Sequence, residues 1–283
     1  MAIDAVVHTR QGGDLVTGLD KDAFTLREDG KPVPIRYFNR DNDLPLTIGL
    51  LVDTSGSQRE FFDDEAMAGD NFLRDTLKQR DDRAFVVRFD SQIVLLQKMT
   101  SSLQLLHNGL RMLDYIQDPG HLPAGHAGTV LYDAIANVSA NVIGKEQGRR
   151  ALVILTDGDD NGSRTTMEAA IHQAQLANVA IYSVLYTNEV LGNGVRYPAM
   201  GKPTGIDIMT EISRATGGRA FVVSGKLPVR QIFAAIAEDL RTQYRIGFTP
   251  AESKSGQTHK LELKALDKNL NVQARTAYVT PEQ

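Results

Sequence analysis

Three short segments of the chain, Ile48 to Val52, Ala151 to Leu155 and Ala180 to Leu185, are apolar on both faces instead of alternating with polar residues. A strand of that kind has no face to offer to water, so it belongs in the middle of a sheet covered on both sides. From Leu46 to about Tyr244, such runs alternate with helical patterns, which predicts a mostly parallel sheet with helices on both faces. Phe85 to Phe89 and Ile93 to Leu96, joined across Asp90-Ser91, predict a hairpin that adds one antiparallel edge strand.

The helix starts are marked by side chains. Ser57-Gln58-Arg59-Glu60 and Thr165-Thr166-Met167-Glu168 both fit the capping box, in which a hydroxyl and a glutamate satisfy the free amides of a first turn. Leu131, Ala134, Ile135 and Val138 have the spacing of one buried helical face. Further helices are expected over Ile206 to Ala215, stopped by Gly217-Gly218, and over Val229 to Arg241. Phe61 and Phe62, in the first turn beside a sheet, read as core.

Residues 1–45 and 245–283 differ in kind from the central 46–244. Val6-Val7-His8, Phe24 to Arg27 with the turn Glu28-Asp29-Gly30-Lys31, Lys260 to Lys264 and Val272 to Thr276 read as short strands of alternating polarity. Neither end has enough apolar surface for its own core, so the two segments are expected to pack together as a small β annex.

The polar groups next to the central strands point to a metal. Asp53-Thr54-Ser55-Gly56-Ser57 follows the first apolar run, Thr156-Asp157-Gly158 follows the second, and Gly128-Thr129 precedes a helix. In an open parallel sheet the strand C-termini line one edge, and ligands bind there. Asp53, Ser55, Ser57, Thr129 and Asp157 are therefore candidates to converge on one Mg²⁺, Mn²⁺ or Ca²⁺, with hydroxyls as neutral ligands and carboxylates bound directly or through water. Having only two acids, such a site favours an acidic ligand at an open position.

Composition removes other classes. The net charge of −4 comes from mixed signs with no basic block, which argues against nucleic acid or an anionic membrane as partner. The absence of cysteine excludes disulfides and thiolate chemistry. No stretch is long enough to span a bilayer, and the N-terminus lacks a basic segment followed by an apolar one, as expected of a soluble chain or of one from which an export signal has been removed.

The motif Asp-x-Ser-x-Ser at Asp53, Ser55 and Ser57, with the distant Thr129 and Asp157, resembles the metal-ion-dependent adhesion site of von Willebrand factor type A domains. The flanking Gly128 to Ala134 and Leu155 to Gly158 are also similar. Gly18 to Phe24, Glu28 to Lys31 and Leu240 to Pro250 resemble the von Willebrand A-related proteins abundant in acidobacteria. The resemblance covers nearly the whole chain. It implies a Rossmann-like α/β fold, divalent-metal-assisted binding of a protein partner, no catalysis, and a location outside the cytoplasm, with a cytoplasmic one as the alternative. It makes Ser55, Ser57 and Thr129 direct ligands, and a partner's Asp or Glu completes the octahedron. The alternatives are an assembly scaffold with a vestigial metal site and a metal-dependent hydrolase.

Several residues have plainer readings. Ser57 fits a helix N-cap, Asp157-Gly158 a turn and Thr129 a helix start, roles compatible with ligation. Asp159, Asp160 and Asn161 read as a solvated loop, and Asp133 as a support for the loop before it. His121 and His126 lack a carboxylate or cysteine at a familiar ligand spacing. Residues 188–204 read as a long loop.

The enzyme motifs fail one by one. Ser55 stands where an aspartic protease needs glycine and where a haloacid-dehalogenase-like phosphatase needs a second aspartate. No Gly-x-Ser-x-Gly elbow and no Gly-x-x-x-x-Gly-Lys-Ser/Thr loop is present.

Overall fold

The computed structural model describes residues 1–40, 44–116, 128–186, 203–251 and 255–280, without side chains at 59–60, 62–64 and 114–116. His121, His126 and nearly all of 188–204 lie outside the described residues. In chain order the elements are β1 (Ala2–Thr9), β2 (Phe24–Glu28), β3 (Lys31–Pro32), β4 (Tyr37–Asn39), β5 (Leu46–Asp53), α1 (Phe62–Thr76), β6 (Arg83–Phe89), β7 (Ile93–Thr100), α2 (Leu103–Ile116), α3 (Leu131–Asn137), β8 (Arg149–Thr156), α4 (Met167–Leu176), β9 (Ala180–Leu185), α5 (Gly205–Thr216), β10 (Ala220–Val222), α6 (Val229–Arg241), β11 (Tyr244–Gly247), β12 (Thr258–Ala265), β13 (Leu270–Ala274) and β14 (Ala277–Val279).

The three runs without a polar face become adjacent inner strands of a six-stranded sheet in the order β10-β9-β8-β5-β6-β7. All neighbours are parallel except β7, which returns antiparallel to β6 as the expected edge. Helices cover both faces. Leu46, Ile48, Leu50 and Val52 point to the side of α1, α2 and α6, where Phe72, Leu110 and Phe233 complete one core. Leu51, Phe85, Leu152 and Ile154 point to the other side, packed by α3, α4 and α5 through Ile135, Ala170 and Met209. This is the Rossmann-like α/β arrangement, and it brings the C-terminal ends of β5 and β8 together at one edge.

The terminal segments make more than an annex of four short strands. They form two antiparallel sheets, β13-β1-β11-β4 and β14-β12-β2-β3, whose inner faces share Ile3, Val7, Phe24, Leu26, Tyr244, Ile246, Leu261, Leu263 and Tyr278. Alternation along β12 holds as expected: His259, Leu261 and Leu263 are buried, while Thr258, Lys260, Glu262 and Lys264 are exposed. The turn between β2 and β3 places Asp29 and Gly30 at φ +49° and +79°, the left-handed pair that a two-residue hairpin requires.

Two helix starts differ from expectation. Ser57 is not the cap of α1: residues Gly56–Phe61 wind as a 3₁₀ turn, α1 begins at Phe62, and the Ser57 hydroxyl turns to Asp157. For α4 the cap is Thr166, whose hydroxyl accepts the Ala169 amide at 3.2 Å, one residue later than the sequence pattern suggests. Phe61 is buried against Tyr186, with ring centroids 5.0 Å apart. The buried stripe of α3 forms as predicted, although the helix gives way to a π turn at Val138–Val142.

Candidate metal centre

Four of the five candidate residues are joined by hydrogen bonds at the carboxyl edge of the sheet. Asp53, the last residue of β5, is fully buried; its Oδ1 accepts the Ser55 amide at 2.9 Å and its Oδ2 accepts the Thr156 hydroxyl at 2.7 Å. The hydroxyls of Ser55 and Ser57 are 3.1 Å apart. Ser57 Oγ then donates to Asp157 Oδ2 at 2.6 Å, across 100 residues of sequence, while Asp157 Oδ1 accepts the Asp159 amide at 3.1 Å. Ser57 is exposed and Ser55 and Asp157 are half-buried, so the chain of oxygens runs from the end of the sheet out to solvent.

Thr129 arrives from another direction. It is buried at the start of α3, and among the described residues no hydrogen bond joins its hydroxyl to the other four. Its backbone is fixed on two sides. Thr129 N donates to Asn161 Oδ1 at 2.6 Å, and the Asn161 and Gly162 amides return bonds to Thr129 O at 3.1 and 3.0 Å. The next residue, Val130, donates its amide to Asp90 O at 2.8 Å, while the Asp90 carboxylate accepts Thr54 Oγ1 at 3.1 Å and Arg88 Nη1 at 2.5 Å. Thr129 is thus linked to the residue after Asp53 through the turn of the β6–β7 hairpin.

Asp133 supports this loop as expected. Its carboxylate accepts the Thr165 and Arg164 amides at 2.8 and 3.1 Å. The segment Asp159 to Asn161 does more than the solvated-loop reading allows, because Asp160 Oδ1 accepts Tyr132 N at 3.2 Å and Asn161 holds Thr129. Sequence reasoning missed Asn161, Asp90 and Thr156 as organisers. Thr156 and Asn161 lie close to Asp157 in the sequence, whereas Asp90 is read only as a hairpin turn, and each acts across 32 to 103 residues of chain.

Gly158 sets the exit from β8. Its φ of +83° is a left-handed conformation, and a Cβ there would overlap the carbonyl of Gly205, the first residue of α5. The α5 N-terminus is itself closed by a capping box between Thr204 and Asp207.

The donor set suits a hard cation. All five candidates offer oxygen, two as carboxylates and three as hydroxyls, and among the described residues no three His, Asp or Glu side chains gather in one place. Burial pushes the Asp53 carboxyl up to about 7, and Asp157 adds to the rise against hydrogen bonds from Thr156 and Ser55. Among the described residues no lysine or arginine pairs with Asp53, so its negative charge has a chemical reason to take a divalent cation as counter-ion.

The model of the von Willebrand factor type A domain family matches residues 47–202, more than half of the chain. Among solved structures, proximal thread matrix protein 1 from the mussel byssus, with a zinc-occupied MIDAS motif, is similar with a TM-score of 0.52 at 14% identity; the match covers 75% of this chain and 49% of that one. BatB from Bacteroides thetaiotaomicron is similar with a TM-score of 0.51 at 14% identity, covering 69% of this chain and 97% of that one. This chain therefore spans about half of the byssus protein and nearly all of BatB. At these identities the likeness is one of fold. No curated protein sequence matches.

Proposed function

Because this chain belongs to the von Willebrand factor type A family, we propose that it is a metal-dependent binding module in which Ser55, Ser57 and Thr129 ligate a divalent cation, with Asp53 and Asp157 binding it directly or through water. Bound there, the cation supplies an open coordination position that a partner protein's Asp or Glu carboxylate fills. Mg²⁺, Mn²⁺ and Ca²⁺ match the oxygen donors, and the zinc in the byssus protein's motif adds Zn²⁺ to the candidates. The module binds and does not catalyse, and we place it outside the cytoplasm on its likeness to the acidobacterial proteins.

The observation that carries this reading is the 2.6 Å bond from Ser57 to Asp157, which unites the two halves of the motif at the sheet edge. Each residue has a distinct task. Asp53 and Thr156 anchor the buried end, Ser55 and Ser57 present hydroxyls, and Asn161 and Asp90 hold the Thr129 loop. Calorimetric titration of chelator-treated protein with Mg²⁺, Mn²⁺, Ca²⁺ and Zn²⁺, beside the Asp157→Ala variant, tests it. Saturable binding that is lost in the folded variant is expected. Binding that persists unchanged in that variant would reject the assignment.

A further inference from the structure

At the opposite end of the central sheet from Asp53, the first residues of three adjacent strands, Leu46, Arg149 and Ala180, border a cavity of about 30 Å³. The eight residues of β5 separate the two ends by about 23 Å at a parallel-strand rise of about 3.3 Å per residue. The cavity is closed by the terminal strands and the residues after α6: Asp4 from β1, Gln243, and Arg275 after β13, with Arg150 beside them.

Among the described residues, the charges around this space do not balance. Arg275 is only 8% exposed; its Nη2 donates to Ala2 O at 2.8 Å and lies 3.3 Å from the Met1 sulfur, while its Nε has no hydrogen-bond partner. Arg150 donates from Nη1 to Gly144 O at 2.9 Å, and its buried Nε is likewise without a hydrogen-bond partner. Neither guanidinium forms an ion pair among the described residues. The carboxylate that lines the cavity, Asp4, faces its cross-strand neighbour Arg245 at 3.5 Å. Among the described residues, Arg150 and Arg275 therefore have only Asp4 as a carboxylate bordering the cavity, and Asp4 is already shared with Arg245; Arg149 also borders the cavity. Arg149 directs its Nη atoms to Leu240 O and Leu44 O.

Buried donors in native proteins find partners, and buried cations are costly unless paired. Burial pushes the Arg275 guanidinium down to about 10, with Arg150 and Arg245 lowering it further and Asp4 opposing, and it still leaves the group charged at neutral pH. A water molecule would give the orphaned N–H groups an acceptor without supplying negative charge. The space holds one or two water-sized particles, too little for a tetrahedral oxyanion.

We infer that the cavity bordered by Arg149, Arg150 and Arg275 is a binding site for a small inorganic anion of halide size. The anion accepts from the guanidinium N–H groups and neutralises the excess positive charge where the terminal strands meet the base of the α/β sheet. It stabilises the folded chain, because the three arginines converge only when β8 and the segment after β13 are assembled.

The test uses the full chain with chelator present, so that it is independent of the metal reading. Thermal unfolding is followed in sodium chloride, sodium bromide and sodium gluconate at equal ionic strength. Chloride and bromide are expected to raise Tm by several degrees in a saturable manner over gluconate, and Arg150→Gln to abolish that difference. Bromide-soaked crystals should show an anomalous peak between Arg150 and Arg275. Equal Tm in chloride and gluconate, a full chloride shift in Arg150→Gln, or the absence of bromide from the cavity would overturn the inference. Arg275→Gln is a second probe; Arg150 is only partly buried, so its variant serves if Arg275→Gln fails to fold.

Discussion

The carboxylate of Asp82, just before β6, closes on the guanidinium of Arg241 in the last turn of α6, 159 residues further along the chain. The same carboxylate accepts the amides of Leu46, Lys78 and Gln79 at 2.9, 3.0 and 2.7 Å, and Arg241 also donates to Thr76 O. One buried group thus ties the end of α1, the start of β5 and the end of α6.

Asp82→Ala is expected to destabilise the protein by about 3–5 kcal/mol, the range for removing one partner of a buried pair. Denaturant unfolding monitored by circular dichroism checks this. A loss below 1 kcal/mol would show that water replaces the carboxylate.

The same group sets an acid limit. Burial pushes the Asp82 carboxyl up, but hydrogen bonds from Arg241, Gln79 and Leu46 together hold it below the ordinary aspartate range. A carboxyl lowered in the folded state contributes its full stability above its unfolded value and loses it as pH falls through the folded one. Tm should therefore fall below about pH 4, and part of that fall should be absent in Asp82→Asn.

Asn161→Ala removes the acceptor that holds the Thr129 amide while leaving the five candidate ligands in place. Divalent-metal affinity is expected to drop by roughly 10- to 100-fold, the usual effect of losing a group that orients a ligand. Asn161→Asp, which keeps an acceptor oxygen, should retain most of it. Titration calorimetry on both variants distinguishes positioning from a general loss of folding.

Gly158→Ala places a methyl group against the Gly205 carbonyl in a left-handed backbone conformation. We expect a loss of about 1–3 kcal/mol and weaker metal binding, because the Asp157 turn and the start of α5 must separate. Ala at Gly225, where an added Cβ meets nothing within 4 Å, is the matched control and should be near neutral.

Much of the α/β body was legible because its determinants are local. Ile48 to Val52, Ala151 to Leu155 and Ala180 to Leu185 lack any polar face, and the helix Val229 to Arg241 was readable to the residue. The five candidate metal residues stood out for the same reason, as strand-end and helix-start oxygens. The plainer reading of Ser57 as a helix cap fails because its hydroxyl takes the Asp157 carboxylate 100 residues away instead of a local amide. Asn161, Asp90 and Asp82 were hidden likewise: each looks like an ordinary loop residue until a distant amide or guanidinium meets it. The terminal strands were visible by alternation, whereas their division into two sheets depends on which strand edges meet, which side-chain polarity does not specify.

In the sheet β13-β1-β11-β4, β1 lies between two strands from the far end of the chain, and Ala5 pairs with Tyr244, about 240 residues later. At a synthesis rate of about 5–20 residues per second, the N-terminal strand emerges on the order of 12–50 seconds before its partners exist. The partners of β1 on both sides, β11 and β13, lie beyond the α/β body in sequence, so its two edges are paired only once those strands are present. The sheet around β1 is therefore completed only by strands that follow the whole α/β body in the chain.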